Sequence, residues 1–222
     1  MCGRMAITLP HEAMAQLFEA APANDLPPQE ANYNVCPTTT ISVATSADGV
    51  RHLRPMRWGF VPSWYKEPTG GPLLINARSE TIAEKPAFRE ACRQRRCLIA
   101  ADGFYEWKRA EGQTPQPYYV TRSDGAPMVF GGIWQDWRPD RLSTCAIVTC
   151  DANADMAPIH DRLPIILEPE VWPLWLGEAG HGAARLMRPA APGVISLRRV
   201  STAVNSNRAS GPELIEPLIE DD

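Results

Sequence analysis

Apolar and polar residues alternate in short runs along most of the chain, which predicts many short strands. Helical spacing places apolar residues on one side at 10–20, 86–95 and 172–175. The 22 prolines interrupt most connections, and residues 21–38 are predicted to form a long loop. This pattern favours an α+β fold with a few short helices and a curved, mostly antiparallel sheet approaching a barrel. The predicted strands lie at 40–45, 50–57, 73–77, 97–101, 103–109, 117–122, 127–134 and 143–150, with further apolar runs at 164–168 and 193–201.

The length of 222 residues fits one domain, which we place at 1–210, followed by an acidic tail at 211–222 that we expect to be disordered. No apolar run approaches the roughly 18 residues of a membrane span. No charged leader precedes an apolar stretch at the N-terminus. We therefore expect a cytoplasmic protein, nucleoid-associated when bound to DNA, that does not associate with membranes.

Six cysteines raise the question of a metal site, because two pairs have the spacing C-x4-C. This spacing puts the two side chains on opposite faces of a strand, so a pair does not converge on one ion. The sequence therefore predicts no metal and no cofactor. Reduced and mostly buried thiols are expected at Cys92, Cys97, Cys145 and Cys150.

The charge distribution permits nucleic-acid binding without requiring it. The net charge is −4, but the last ten residues hold five acids, and without them it would be +1. Of the 22 basic residues, 19 are arginine, which suits bidentate phosphate contacts. A genome rich in G and C would produce the same preference for arginine.

Cys2 has the most distinctive chemistry. An initiator methionine is normally removed when a small residue follows, so we expect the mature chain to begin at Cys2. A terminal cysteine carries an amine and a thiol on adjacent carbons, with ordinary pKa values near ~8 and ~8.5. The amine can form a Schiff base with an aldehyde, and the thiolate can then close a five-membered thiazolidine. Considered alone, Cys2 is more simply interpreted as a small residue that only permits methionine removal.

Two polar clusters suggest further chemistry. Asn76 and Arg78 follow an apolar run and point in the same direction, so they could bind a sugar or oxyanion and a phosphate. A helix cap with a surface arginine is the alternative. Glu106 is expected on one strand face between Phe104 and Lys108, where aromatic neighbours remove water and favour the protonated acid. An exposed strand glutamate is equally compatible.

Three further segments are weaker indicators. His160 follows a proline turn and could transfer protons near neutral pH, or simply be a solvated loop histidine. Trp58 and Trp64 lie in an aromatic segment, where either could stack on bases and one is expected to pack in the core. The polar residues 204–208 could line the same cleft or form only a turn.

In this order, the blocks resemble the SOS response-associated peptidase (SRAP) family, whose members shield abasic sites in single-stranded DNA. Ala100 and Leu163 replace the proline and methionine usual in the family, and both look like packing changes. The resemblance spans nearly the whole chain and rests on residues 2–4, 56–64, 76–81, 96–99, 101–107, 160–167 and 204–208.

The resemblance implies a single SRAP domain with a positively charged groove that crosslinks abasic sites covalently as a thiazolidine. Cys2 would supply both nucleophiles, and Asn76 would position the opened sugar or the N-terminus. Glu106 would act as general acid and base, with His160 assisting proton transfer. Arginines would hold flanking phosphates, and the full set of implied DNA contacts is Gly3, Arg4, Asn34, Trp58, Trp64, Arg78, Ser79, Trp107 and Arg162.

The implied enzyme combines lyase-like Schiff-base chemistry with peptidase activity that would remove Met1. The expected partner is single-stranded DNA containing abasic sites, with single/double-strand junctions as a second candidate, and a monomer would suffice. Two other interpretations remain open. One is an N-terminal-nucleophile glutamine amidotransferase, although Arg4 stands where that family has an apolar residue. The other is a non-catalytic reader of modified DNA.

Overall fold

Short extended segments make up most of the secondary structure. The computed structural model describes residues 2–28, 30–137 and 142–218. Strands in these ranges share the short lengths that the alternating pattern predicts. They are β1 (Met5–Ile7), β2 (Ala20–Pro22), β3 (Asn32–Val35), β4 (Thr40–Ala47), β5 (Val50–Trp58), β6 (Asn76–Arg78), β7 (Arg96–Ala101), β8 (Gly103–Lys108), β9 (Gln116–Arg122), β10 (Met128–Trp137), β11 (Leu142–Asp151), β12 (Arg162–Pro164) and β13 (Ile195–Arg199).

The three predicted helices are present as α1 (His11–Phe18), α2 (Arg89–Gln94) and α3 (Trp172–Leu176). Helix α1 buries Met14 and Phe18 on the side that its apolar spacing predicts. Helix α3 ends at Gly177, whose φ of 89° is left-handed and therefore favours glycine at this position.

The larger sheet has the strand order β12-β11-β10-β7-β4-β5-β2, with β6 paired to β11. An additional parallel pairing between β11 and β5 closes five of these strands into a ring. Apart from the parallel pairings of β5 with β2 and β11, and of β6 with β11, the pairs in this sheet are antiparallel. The prediction of a mixed fold with a curved, mostly antiparallel sheet is confirmed.

The smaller sheet has the order β13-β9-β8-β1-β3 and is antiparallel throughout. Its two faces contact different apolar clusters. Phe104 on β8 belongs to the main core, whereas the next residue, Tyr105, belongs to a second core. This alternation follows from the opposite directions of neighbouring side chains on a strand. The buried residues of the second core are Ala6, Tyr105, Tyr119, Val200, Val204 and Leu214.

Several boundaries differ from the sequence prediction. Strands β1, β2 and β3 were not predicted, and the last two lie in the segment predicted to be a loop. Each has only three or four residues, too few for alternation to be distinguished from a loop. Strand β6 begins at Asn76, at the end of the predicted run 73–77, and β12 precedes the apolar run 164–168.

The domain boundary at residue 210 stays a prediction, and the residues just after it pack against the smaller sheet. A 3-10 helix at Pro212–Ile215 places Leu214 in the second core with 1% of its surface exposed. Burial of this side chain ties the start of the predicted acidic tail to the domain. Residues 219–222 of that tail lie outside the described residues.

The cysteines are free thiols, consistent with the reduced state predicted for them. Cys97, Cys145 and Cys150 are buried, and Cys92 is half-buried. Burial raises the pKa of the Cys145 and Cys150 thiols to about 12. These thiols therefore stay protonated at neutral pH and act as apolar packing groups.

Arg162 joins three neighbouring segments of the larger sheet. It lies opposite Asp151 in the β11–β12 pairing, and its guanidinium donates to Asp151 Oδ1 at 2.6 Å and to the Thr149 carbonyl at 2.9 Å. The same group donates to both carboxylate oxygens of Glu80, at 3.0 and 2.8 Å. Hydrogen bonding from Arg162 lowers the pKa of Glu80 to about 2.

Replacing this carboxylate should lower stability in a pH-dependent way. The pKa of Glu80 is lower in the folded chain than its ordinary value near ~4.3. The stabilisation that the ionised Glu80 gives to the folded state is therefore complete above that value and is lost as the pH falls from about 4.5 to about 2. Its side chain is 44% exposed, so solvent screening limits the expected loss in Glu80→Gln at pH 7 to about 1 kcal/mol. Urea unfolding at several pH values measures this difference.

Glu84→Gln is the matched control, because Glu84 is exposed four residues away. The control should unfold like the unmodified chain across the same pH range. If the loss of unfolding free energy in Glu80→Gln stayed constant down to pH 2, this stability could not be assigned to the Arg162–Glu80 ion pair.

Candidate functional site

Cys2 lies just before β1, inside the molecule. Its side chain is 1% exposed and packs in the main core. Burial raises the pKa of the Cys2 thiol well above its ordinary value, and the nearby Glu106 carboxylate raises it further. A hydrogen bond from the Arg4 backbone N–H to the same sulfur acts in the opposite direction. The thiol is therefore protonated at neutral pH unless a neighbouring base removes its proton.

Asn76 holds the backbone of Cys2. It is the first residue of β6, and its pairing with Ile147 on β11 fixes where its side chain projects. Asn76 Nδ2 donates to the Cys2 carbonyl at 2.8 Å. Its Oδ1 atom is buried and accepts no hydrogen bond from the described residues. An amide oriented in this way presents an open acceptor beside the cysteine.

Glu106 projects from β8 on the same face as Phe104, toward the main core and away from the second one. It is 4% exposed, and its Oε1 accepts a hydrogen bond from the Trp107 backbone N–H at 3.1 Å. A carboxylate this buried strongly affects charges around it because little water screens it. The raised pKa of the Cys2 thiol is one such effect.

His160 approaches the same carboxylate from the segment before β12. Its Nε2 lies 4.0 Å from Glu106 Oε1. Its Nδ1 accepts the Arg162 backbone N–H at 2.9 Å, which places the proton of the neutral ring on Nε2, toward Glu106. Asp161 Oδ1 lies 2.9 Å from Nδ1, a contact that requires a proton there. Because the Asp161 side chain is 87% exposed, it can turn into solvent, whereas the backbone donor is fixed.

The structure thus brings together the four residues that the sequence predicts to act together: Cys2, Asn76, Glu106 and His160. They come from four separate segments, with Glu106 on the smaller sheet and Asn76 on the larger one. The arrangement offers a nucleophile, an amide acceptor, a buried carboxylate and an imidazole within one cluster. Their chemical roles remain predictions.

Arg4 and Asn34 lie away from the surface where the resemblance places them. Arg4 is 8% exposed and donates to Asn34 Oδ1 at 2.6 Å, to the Val204 carbonyl at 2.8 Å and to Asn207 Oδ1 at 2.5 Å. Asn34 is 7% exposed and donates in turn to the Ala209 carbonyl at 2.6 Å. The two side chains therefore belong to an internal polar network, and DNA contact by Arg4 and Asn34 stays a prediction.

Trp58 and Arg162 are also buried. Trp58 is fully buried, and its Nε1 donates to the Ile75 carbonyl at 3.1 Å, so it is the tryptophan of the pair that packs in the core. Arg162 is 8% exposed, and Glu80 and Asp151 neutralise its charge. The stacking of Trp58 and the phosphate binding by Arg162 stay predictions.

The other predicted DNA contacts are more accessible. Trp64 is 57% exposed, and Arg78 is exposed with no ion pair among the residues that the structure describes. Gly3 is half-buried beside Cys2. Ser79 is also half-buried, and its hydroxyl donates to Glu80 Oε1 at 3.0 Å. Trp107 is half-buried on the face opposite Glu106, where its ring lies 5.7 Å from the Arg4 guanidinium.

The polar segment 204–208 contains residues that sequence reasoning did not assign. Asn205 Oδ1 accepts from Trp107 Nε1 at 2.6 Å, and Asn207 binds Arg4. The only sequence signal for these two residues was that both asparagines closely follow the apolar Val204. Their partners lie about 100 and 200 positions away, beyond the reach of any local pattern.

Among residues 2–28, 30–137 and 142–218, no three His, Cys, Asp or Glu side chains come together in a way that could hold a metal ion. No helix in these ranges has the length and apolar character needed to cross a bilayer.

Comparisons with known proteins agree on one family. Residues 1–207 match the family described as SOS response associated peptidase (SRAP). The abasic site processing proteins YoqW of Bacillus subtilis and YedK of Escherichia coli are each 34% identical to this chain. The YoqW match covers 97% of this chain and 99% of the relative, and the YedK match covers 98% and 100%. The abasic site processing protein HMCES of Rattus norvegicus is 31% identical, over 98% of this chain and 76% of its own.

Solved structures show the same fold. A protein from Bacteroides thetaiotaomicron superposes with a TM-score of 0.85 at 24% identity, over 98% of this chain and 100% of the other. A phage-related protein from Bordetella bronchiseptica gives a TM-score of 0.72 at 28% identity, over 90% and 94%. With the family match across nearly its whole length and these relatives, the chain belongs to the SOS response-associated peptidase (SRAP) family.

Proposed function

We propose that this protein captures abasic sites in single-stranded DNA by forming a covalent thiazolidine with Cys2 after Met1 is removed. The observation that carries the proposal is the clustering of Asn76, Glu106 and His160 around a buried Cys2. The relatives named as abasic site processing proteins support the same substrate. Self-removal of Met1 by this cluster would account for the peptidase in the family name.

The proposed reaction balances without a cofactor. The Cys2 amine adds to the sugar aldehyde, and loss of one water gives an imine. The thiol then adds across the C=N bond, with sulfur bonding to carbon and the proton passing to nitrogen. One amine, one thiol and one aldehyde therefore yield one thiazolidine and one water. No electron transfer is involved.

Glu106 is suited to the proton transfers in this sequence. An abasic sugar is mostly a closed hemiacetal, so its ring oxygen must be protonated before the aldehyde is exposed. A buried carboxyl can deliver that proton and later accept the proton of the protonated Cys2 thiol. His160 Nε2, 4.0 Å from Glu106 Oε1, is placed to exchange the proton with it.

Asn76 would hold the reacting end of the chain. Its Nδ2 already binds the Cys2 carbonyl at 2.8 Å, and its buried Oδ1 can accept from the new amine or from a sugar hydroxyl. Fixing both partners lowers the entropic cost of bringing amine, thiol and aldehyde to one carbon.

Trp64 and Arg78 are the accessible groups best suited to the DNA strand. An exposed tryptophan can stack on an unpaired base, and an arginine free of carboxylates can bind a phosphate. Arg78 is two residues from Asn76, so a phosphate bound there would lie near the sugar being captured. The proposed protein prefers single-stranded DNA or single/double-strand junctions. It acts as a monomer and is located in the cytoplasm.

An N-terminal-nucleophile amidotransferase would use the same cysteine but form a thioester. A non-catalytic reader would bind abasic DNA without needing the thiol. Loss of activity in Cys2→Ser therefore separates aldehyde capture and the amidotransferase from the non-catalytic reader. The product separates the first two, because only aldehyde capture leaves a stable thiazolidine on the protein.

Purified protein should form a heat-stable adduct with single-stranded DNA carrying an abasic site. Cys2→Ser should retain the amine but lose the stable product, because an oxygen closes the ring less favourably than sulfur. Intact mass spectrometry measures the adduct, whose mass should equal protein plus DNA minus one water.

Protein carrying an uncleaved N-terminal extension is the control, since its thiol is present but its terminal amine is displaced. It should give no adduct. Normal adduct formation by the extended protein, or by Cys2→Ser, would rule out the thiazolidine mechanism.

Glu106→Gln should slow capture about 100-fold or more, because glutamine keeps the shape but cannot transfer the proton. Binding should change little. Single-turnover capture at saturating DNA gives the rate, and DNA with a tetrahydrofuran abasic analogue, which has no aldehyde, gives the Kd.

Glu111→Gln is the matched control, because Glu111 is exposed just after the same strand. It should leave both the rate and the Kd unchanged. Equal losses of rate and affinity in Glu106→Gln would assign Glu106 to DNA binding instead.

Arg78→Ala should weaken binding to single-stranded DNA and reduce its salt dependence. Loss of one phosphate contact lowers the slope of log K against log salt by about 0.7. Fluorescence anisotropy across a salt series measures both effects. Arg54→Ala is the control, because Arg54 already pairs with Asp136 at 3.4 Å and should show the original slope. An unchanged slope in Arg78→Ala would remove this residue from the DNA surface.

A further inference from the structure

Arg4 is a buried cation whose described hydrogen-bond partners are all uncharged. They are the side-chain oxygens of Asn34 and Asn207 and the backbone carbonyl of Val204, at 2.5–2.8 Å. Removing a guanidinium from water without pairing it to a carboxylate is costly. Stability alone is a weak reason to keep an arginine here, which points to a role in positioning.

The backbone of Arg4 connects this clamp to the reactive cysteine. The Arg4 carbonyl accepts the Tyr105 N–H at 2.9 Å, which ties it to β8 next to Glu106. Arg4 is two residues from Cys2 in the chain. Holding its side chain and its carbonyl therefore fixes the segment that carries the nucleophile.

The other half of the clamp is the C-terminal segment 202–209. Val204 is fully buried in the second core, which anchors the segment on the smaller sheet. Asn34 Nδ2 binds the carbonyls of Ser206 and Ala209, at 3.2 and 2.6 Å. Asn207 itself is exposed, yet its amide oxygen reaches the buried guanidinium.

We propose that segment 202–209 is a positioning element for the nucleophile, acting through the Arg4 side chain to hold Cys2 beside Asn76 and Glu106. This inference rests on the proposed capture reaction and concerns its rate rather than DNA affinity. Arg4 and Asn207 are positioning residues, because their side chains bind each other and not the reacting atoms.

Asn207→Ala tests the clamp with little risk to folding, because Asn207 is exposed. The capture rate at saturating abasic DNA should fall about tenfold, while the Kd for the tetrahydrofuran analogue changes less than twofold. Asn207→Asp should restore at least the original rate, because a carboxylate accepts more strongly from Arg4. Rates are measured at a temperature where circular dichroism shows each variant fully folded.

Arg208→Ala is the matched control in the same segment, since the side chain of Arg208 is exposed and makes no ion pair in the described part of the chain. Its rate at saturating DNA should equal that of the unmodified protein. An unmodified protein that forms no adduct would defeat the proposed function itself. Given normal capture by that protein, the positioning role is overturned by a normal rate in Asn207→Ala. It is overturned equally by a matching loss of affinity in that variant, or by failure of Asn207→Asp to recover.

Discussion

The antiparallel pairing of β1 with β8 is the constraint on which the site depends. Met5 lies opposite Phe104, and Ala6 lies opposite Gly103. Continuing this register toward the N-terminus brings the residues just before β1 alongside Glu106. A shift of one residue would exchange the two faces of β1 and send Met5 into the second core. The pairing of the three-residue strand β1 with β8 therefore places the Cys2 thiol near the buried Glu106 carboxylate.

The sequence pattern predicted the longer elements well, because enough residues were present to reveal a period. The helix at His11–Phe18 and the longer strands of the larger sheet, β4, β5, β7, β10 and β11, fall where helical spacing and alternation place them. Strands β1 and β3 were missed because three or four residues carry no usable period. Since both belong to the smaller sheet, its topology could not have been derived from local patterns.

For the candidate site, too, some features could be predicted from the sequence and others could not. The residues proposed for chemistry were found by type and by resemblance, and the fold brings them into one cluster. The exposure of the predicted DNA contacts could not be predicted in this way, because it depends on partners remote in sequence. Arg4 is covered by Asn34 and Asn207, and Arg162 by Asp151 and Glu80. An arginine in a polar motif is easily taken for a phosphate ligand until its neighbours are known.

The contact between Arg4 and Asn207 joins positions 203 residues apart, near opposite ends of the described chain. During translation, the N-terminal segment leaves the ribosome long before Asn207 has been made. The Arg4 network is therefore completed only when nearly the whole chain has been made. A prematurely terminated polypeptide lacks this contact, so its N-terminal segment cannot reach the arrangement seen in the full-length chain.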